Sequence, residues 1–297
     1  MRSTIRQRGF TLVELIMVIV IMGAIGGMVS VFMKSPIDAY FDSARRAALT
    51  DLADTTVRRI ARDVRRALPN SLRPPATSQC IEFIPTKTGG RYRADSTAAG
   101  LSFAAPPDTS FNMLGSNATF AGNAIPADQQ IRDQDFIVVY NLGITGSDAY
   151  ALNAVNRATV NGTPTLAIAS PPEANIVVTT TQPAGSPTFS LESGGNRFHV
   201  VSSTEQSVTY VCVNAGTTAG NGSGVLYRYV RGFTAAHTCP TTAPAGAAVL
   251  ANNVSACSFT YNGSDLQRNA TVQINLSLTQ SNETVSLYHE VHADNTP

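Results

Sequence analysis

The longest unbroken apolar segment of the chain runs from Leu15 to Met33 and holds no charged residue. A helix rises about 1.5 Å per residue, so this span and its flanks cover the ~30 Å hydrocarbon core of a bilayer. Beyond it the pattern takes a helical period. Leu49, Leu52, Ala53, Val57, Ile60, Ala61, Val64 and Leu68 recur at three- and four-residue steps, which predicts an amphipathic helix over Ser43 to Leu68. Pro36, between the two segments, predicts a kink or break, and Pro69-Asn70 a stop.

After a Pro/Ser/Thr linker at residues 71–79 the period falls to two. Cys80 to Ile84 and Asp135 to Tyr140 read as strands, the second apolar enough to be central. Thr88 to Ile125 is rich in Gly, Pro, Asn and Ala and reads as loop, with one short strand near Leu101-Ser102-Phe103. Gly143 to Gly195 is irregular too, Asn175 to Thr179 being its best strand. Arg197 to Val201, Ser207 to Val213 and Val225 to Arg231 read as consecutive strands, with Gly220 to Gly224 as a flexible turn. Val254 to Tyr261, Ala270 to Leu278 and Thr284 to Val291 alternate as a half-buried antiparallel meander, turning at Asn262-Gly263 and Ser281-Asn282. One amphipathic helix can cover such a sheet by burying Leu49 to Leu68. The expected fold class is α+β: a long N-terminal helix, half membrane-spanning and half amphipathic, packed on an antiparallel β-sheet domain.

Charge sets the orientation. Arg2, Arg6 and Arg8 precede the apolar run without an acid, so the N-terminus is expected in the cytoplasm and the rest beyond the inner membrane. The formal net charge is +1, with 21 basic and 20 acidic residues; removing the three leader arginines leaves 18 against 20, or −2. The mature chain is therefore not a polycation. Arg45, Arg46, Arg58, Arg59, Arg62, Arg65 and Arg66 line the polar faces of the amphipathic helix among Asp51, Asp54 and Asp63. No aromatic residue interleaves with them, so a solvated face or a contact with acidic subunits fits better than nucleic acid.

The four cysteines, Cys80, Cys212, Cys239 and Cys257, form no C-x-x-C pair, which argues against a zinc or thioredoxin-like site. An even number in an exported domain suggests disulfides. Of three connectivities, Cys239–Cys257 with Cys80–Cys212 is the expected one: the first closes a short loop and the second ties two strands. Unpaired buried cysteines are the alternative.

Glu14 is the anomaly of the apolar helix. A carboxylate at its membrane edge costs ~2.5 kcal/mol or more and asks for a reason. A removable secretory signal would place its small residues after the apolar run, whereas Ala24-Ile25-Gly26 lies in the middle. A plain signal anchor leaves Glu14 unexplained, unless its carboxylate merely snorkels to the headgroups. Gly9-Phe10-Thr11-Leu12-Val13-Glu14 supplies a third reading. With the basic leader and the uninterrupted helix, it resembles the class III signal of type IV pilins and type II secretion pseudopilins. The stretches Arg45 to Leu49 and Ala61 to Ser71 are similar to the helix of large J-type minor pseudopilins and PilW-like minor pilins. Glu82 to Pro85, Arg197 to Val201 and the ending His289 to Asn295 are similar to minor pilins of the MSHA-type pilus.

The resemblance implies a type IV pilin-like fold divided as leader 1–9, transmembrane and assembly helix 10–34, amphipathic helix 35–69 and extracytoplasmic β-rich domain 70–297. It implies a prepilin peptidase cutting between Gly9 and Phe10 and N-methylating Phe10. It implies partners among major and minor pilin subunits and an inner-membrane assembly platform. Its location is a single-pass inner-membrane protein with a periplasmic C-terminal domain, then the filament at the cell surface. The function implied is a minor pilin that initiates or caps a filament. A J-type pseudopilin of a type II secretion system and a membrane-anchored adhesin or ligand-binding module are the alternatives. Glu14 can pair with the ammonium of a neighbouring subunit's Phe10, which removes much of the cost of an unpaired charge in lipid.

No catalytic constellation accompanies this. There is no G-x-S-x-G, phosphate loop or dinucleotide fingerprint, and no cofactor is expected. His289-Glu290-Val291-His292 puts its histidines on opposite faces of a strand, so they cannot both grip one ion. His199 and His237 have no nearby acid or nucleophile in sequence. Asp294 lacks an Asp/Asn ladder for calcium. Asn117, Asn161, Asn253 and Asn269 open Asn-x-Ser/Thr triplets, which an Asn- and Thr-rich chain produces by chance.

Overall fold

The structure, a computed structural model, describes residues 9–73, 77–94, 99–183, 185–263 and 269–297. The leader arginines Arg2, Arg6 and Arg8, and positions 74–76 of the expected linker, lie outside them. Two compact units are present, residues 1–49 and 50–297. One helix, α1 (Leu12–Arg65), supplies the first and opens the second.

α1 runs through Pro36, so the expected break is absent. The proline ring removes one N–H donor and crowds the carbonyl four residues back, yet the residues on both sides stay helical. The helix ends at Arg65 rather than Leu68, because the chain already pairs with a strand-like segment there. The Leu68 N–H donates to the Ile84 carbonyl at 2.7 Å, and Ala67 bridges Pro85. In the second unit Ala53, Val57, Ile60, Ala61 and Val64 are buried, as the apolar period predicts.

The strands are β1 (Cys80–Phe83), β2 (Thr88–Arg91), β3 (Ser110–Leu114), the short pair β4 (Thr119–Phe120) and β5 (Asn123–Ala124), β6 (Phe136–Val138), β7 (Arg157–Val160), β8 (Thr165–Ala169), β9 (Pro172–Thr179) and β10 (Arg197–Val201). Then come β11 (Ser207–Val213), the short pair β12 (Thr217–Thr218) and β13 (Asn221–Gly222), β14 (Gly224–Arg231), β15 (Ala248–Asn262), β16 (Asn269–Gln280) and β17 (Glu283–Asp294). The first sheet is antiparallel in the order β1-β11-β14-β15-β16-β17. The meander β15-β16-β17 stands as the alternation predicts. Val272, Ile274, Leu276 and Leu278 are buried, and Gln280 pairs with Glu283 across Ser281 and Asn282, both at positive φ. Two such residues make the tight turn whose twist matches a hairpin.

A second sheet, β2-β10-β6-β7-β9-β3 with β8 beside β9, joins the expected strands at Asp135 to Tyr140, Asn175 to Thr179 and Arg197 to Val201 to β2, β3, β7 and β8, which form in chain expected to be loop or irregular. It replaces the expected strand at Leu101 to Phe103, which forms none. A bridge between Tyr92 and Met113 joins its two ends, so the sheet closes on itself. Tyr92, Phe111, Phe189, Phe198, Ile137, Val160 and Ile176 fill it. Every one of its strands lies in sequence between β1 and β11, which are neighbours in the first sheet. The second sheet is thus an insertion with its own core. β10 belongs to it and not beside β11, although the two are consecutive in sequence.

Buried charges hold the insertion at its neck and the loops to the first sheet. Asp135 accepts from Lys87 Nζ at 2.8 Å on the entering chain and from the Ser203 N–H at 3.3 Å on the leaving chain. Glu82, fully buried, accepts from Arg231 Nε at 2.7 Å, Thr209 Oγ1 at 2.9 Å and Arg73 Nη1 at 3.3 Å. An asparagine clasp secures the C-terminus: Asn295 Oδ1 accepts from the Asn70 N–H at 3.1 Å, and Asn141 Nδ2 donates to the Pro69 carbonyl at 2.7 Å. Gly143, at φ +70°, leaves room for it, since a Cβ there would lie 2.5 Å from the Asn70 oxygen.

All four cysteines are in disulfides, but the pairs are Cys80–Cys239 and Cys212–Cys257, not the expected ones. Cys80 stands opposite Val211 in the β1–β11 ladder, so Cys212, one residue on, faces the other side of the sheet. β14 begins at Gly224, opposite Val254, and β15 bulges just after that point. Its far half then reaches the start of β1, where the Phe259 N–H meets the Ser78 carbonyl at 2.6 Å. That path brings Cys257 to Cys212 with their Cα atoms 6.3 Å apart.

Candidate processing and assembly site

Gly9 and Phe10 stand just before α1 and Glu14 lies in its first turn, within the first unit. Thr11 precedes the first helical residue and caps it. The Glu14 N–H donates to the Thr11 carbonyl at 3.1 Å and to its Oγ1 at 3.3 Å. Thr11-Leu12-Val13-Glu14 therefore fits the S/T-x-x-E capping pattern, with Glu14 at the third helical position. The spacing of Thr11 and Glu14 is the sequence signal for this cap. A carboxylate in the first turn also lies at the positive end of the helix dipole, which favours it by roughly 0.3–1 kcal/mol where solvent screens.

Gly9 and Phe10 are exposed, Phe10 by 87%. Among the described residues, a Cβ built on Gly9 would meet nothing within 4 Å.

From Leu12 to Met33 the helix rises about 33 Å. Its large side chains are exposed on every side, Ile16, Ile19, Ile21, Met28 and Phe32 among them. A surface helix of a globular domain buries one stripe; a helix apolar all round is suited to lipid or to the centre of a helix bundle. The small positions Gly23, Gly26 and Gly27 face open space.

The other candidate residues are dispersed. His289 is half-buried and His292 exposed, on alternate faces of β17. Their Cα partners on β16 are Ile274 and Thr271. His199 lies on β10, where burial, and then the Arg197 guanidinium, lower its pKa to about 4. The pKa of His237 is lowered by burial, although the Glu82 carboxylate, distant in sequence, opposes the shift. Among the described residues no group of three His, Cys, Asp or Glu side chains is placed to hold a metal ion. Asn117 is buried, its side chain bonded to the Ile131 backbone.

The model for the prokaryotic N-terminal methylation motif matches residues 5–30. That match supports a type IV pilin-like protein. It covers Gly9, Phe10, Thr11 and Glu14 together with most of the apolar helix, and with that helix it supports membrane anchoring. It implies processing by a prepilin peptidase and pilin partners in general. Comparisons with curated proteins and with solved structures give no match.

Proposed function

We propose that this chain is a minor pilin of a type IV pilus of the MSHA type, cut after Gly9, N-methylated on Phe10, and acting to initiate or cap the filament. The observation that carries the reading is the pilin-type start of the chain: the methylation motif over residues 5–30, Glu14 in the first turn of α1, and an apolar helix exposed all round. The resemblance of Arg45 to Ser71, Glu82 to Pro85, Arg197 to Val201 and His289 to Asn295 to MshO supports the MSHA assignment.

The mechanism is structural. Cutting after Gly9 creates an ammonium on Phe10, one residue before the Thr11 cap. A positive charge there opposes the helix dipole, and a carboxylate at Glu14 offsets it. In a bundle of such helices with an axial offset, the Glu14 carboxylate of one subunit meets the Phe10 ammonium of the next. An unpaired charge in lipid is costly, so this pair sets the register while apolar contacts hold the bundle. No catalytic role is proposed. The β-rich domain would face the periplasm and then the cell surface.

A J-type pseudopilin of a type II secretion system shares the features of α1, and the neighbouring genes separate the two. The deciding experiment is the N-terminal mass of the protein from membranes and from sheared surface material, with and without the prepilin peptidase. A peptide starting at N-methylated Phe10, lost without the peptidase, supports the reading. An intact Met1, or a cut within Leu15 to Met33, overturns it.

A further inference from the structure

The arginine ladder of the amphipathic helix and the His289–His292 ending find no use in the function proposed above. In the second unit they meet. Arg58, Arg62 and Arg65 follow one another at steps of four and three, so they share one face of α1. Together with Thr55 and Ala61 they line a groove of about 460 Å³ whose other wall includes His289, on β17 at the edge of the first sheet. Arg58 is engaged by Asp54, at 2.7 Å from Nε to Oδ2. Arg62 and Arg65 are exposed and have no carboxylate partner among the described residues. The nearest acid along the helix, Asp63, is turned away to Tyr210 and Arg228.

We propose that this groove docks a carboxylate-bearing surface of a neighbouring subunit in the filament. The inference rests on the filament-subunit reading above and adds to it a lateral contact outside the apolar helix. The argument is charge complementarity. Residues 70–297 carry 10 basic and 14 acidic residues, while residues 35–69 carry seven arginines against five aspartates, so the cations are concentrated on α1. Guanidinium groups in file accept carboxylates in paired, directional bonds. The edge position leaves the groove reachable from outside the sheet. Such a contact contributes orientation and partner choice more than raw affinity.

The test uses the full-length chain in its host. The double reversal Arg62→Glu/Arg65→Glu is compared with Arg62→Lys/Arg65→Lys, and a photo-crosslinking residue is placed at position 62 or, as control, at exposed Leu152. The expected result is normal processing and membrane level for both variants, with the reversal at least about fivefold lower in sheared filaments and the lysine pair retained. The crosslink from position 62 should reach an Asp/Glu-rich segment of another pilin subunit and weaken as salt rises. Wild-type incorporation of the reversal, or a crosslink to lipid, overturns the docking groove alone. Absence of the processed wild-type chain from sheared material overturns the filament reading and the groove with it.

Discussion

The phenol of Tyr210, on β11, donates to the Asp63 carboxylate of α1 at 2.6 Å, and Arg228 Nε of β14 reaches the same oxygen at 3.1 Å. This is the polar lock between the amphipathic helix and the first sheet. Tyr210 is fully buried, so its hydroxyl has no water to return to. Removing it in Tyr210→Phe is expected to cost about 1–2 kcal/mol, since Asp63 keeps Arg228. Arg228→Ala is expected to cost more, because it removes the cation from both Asp63 and Glu205. Chemical denaturation of the detergent-solubilised chain measures both; equal losses would show that the phenol, not the cation, governs the lock.

Glu82 is a fully buried charge of the first sheet. It is buried between Arg73, Arg231 and Thr209. Glu82→Gln leaves two arginines facing a neutral amide, and the expected loss is ~3–5 kcal/mol, as for breaking a buried ion pair. A change below 1 kcal/mol in the denaturation midpoint, converted through an unchanged slope, would contradict this account.

The disulfides predict a peptide map. Digestion without reduction should yield the linked peptides Cys80–Cys239 and Cys212–Cys257 by mass. Replacing Cys212 and Cys257 together by serine should cost about 2–5 kcal/mol, because the bridge closes a loop of 45 residues between its ends. Recovery of a Cys239–Cys257 peptide would refute the sheet register described above.

His199 and Tyr92 contribute to the acid and alkaline limits of stability. His199 has its pKa lowered by burial to about 4, against an ordinary value of about 6.5. The fold therefore favours the neutral ring. Its contribution is present above the unfolded pKa and is lost as pH falls toward 4, by up to about 1.4 kcal/mol per unit. Tyr92 is shifted the opposite way, raised by burial to about 12. Its contribution is intact below its unfolded pKa of about 10 and is lost as pH climbs toward 12. Thermal midpoints should be flat from pH 7 to 9 and fall on both sides. A His199→Gln chain that keeps the full acid slope between pH 6.5 and 4 would assign that slope to other groups.

Glu14→Ala should leave the β domain folded, with its near-ultraviolet spectrum unchanged, while the chain disappears from sheared filaments. Thr11→Ala loosens only the cap, at ~1 kcal/mol, and should be tolerated far better. Normal incorporation of Glu14→Ala would eliminate the charge-pair mechanism.

The sequence by itself determined what local periodicity can encode. The apolar run, the amphipathic stripe Ala53 to Val64, the Gly9–Glu14 motif and the β15-β16-β17 meander were all legible, since each is written in neighbours one to four residues apart. Thr11 as a cap was legible too. The tertiary structure alone decided the rest. The second sheet is assembled from short strands separated by Gly-, Pro- and Asn-rich chain, and its pairs join distant segments, as Tyr92 joins Met113. Cysteine pairing followed from which face Cys212 took and where β15 bulged, neither of which is a property of spacing. The Tyr210–Asp63 lock and the groove of Arg58, Arg62, Arg65 and His289 exist only because the helix lies on that sheet in that register. A side chain's own period tells which face it takes; only the folded chain tells what stands opposite.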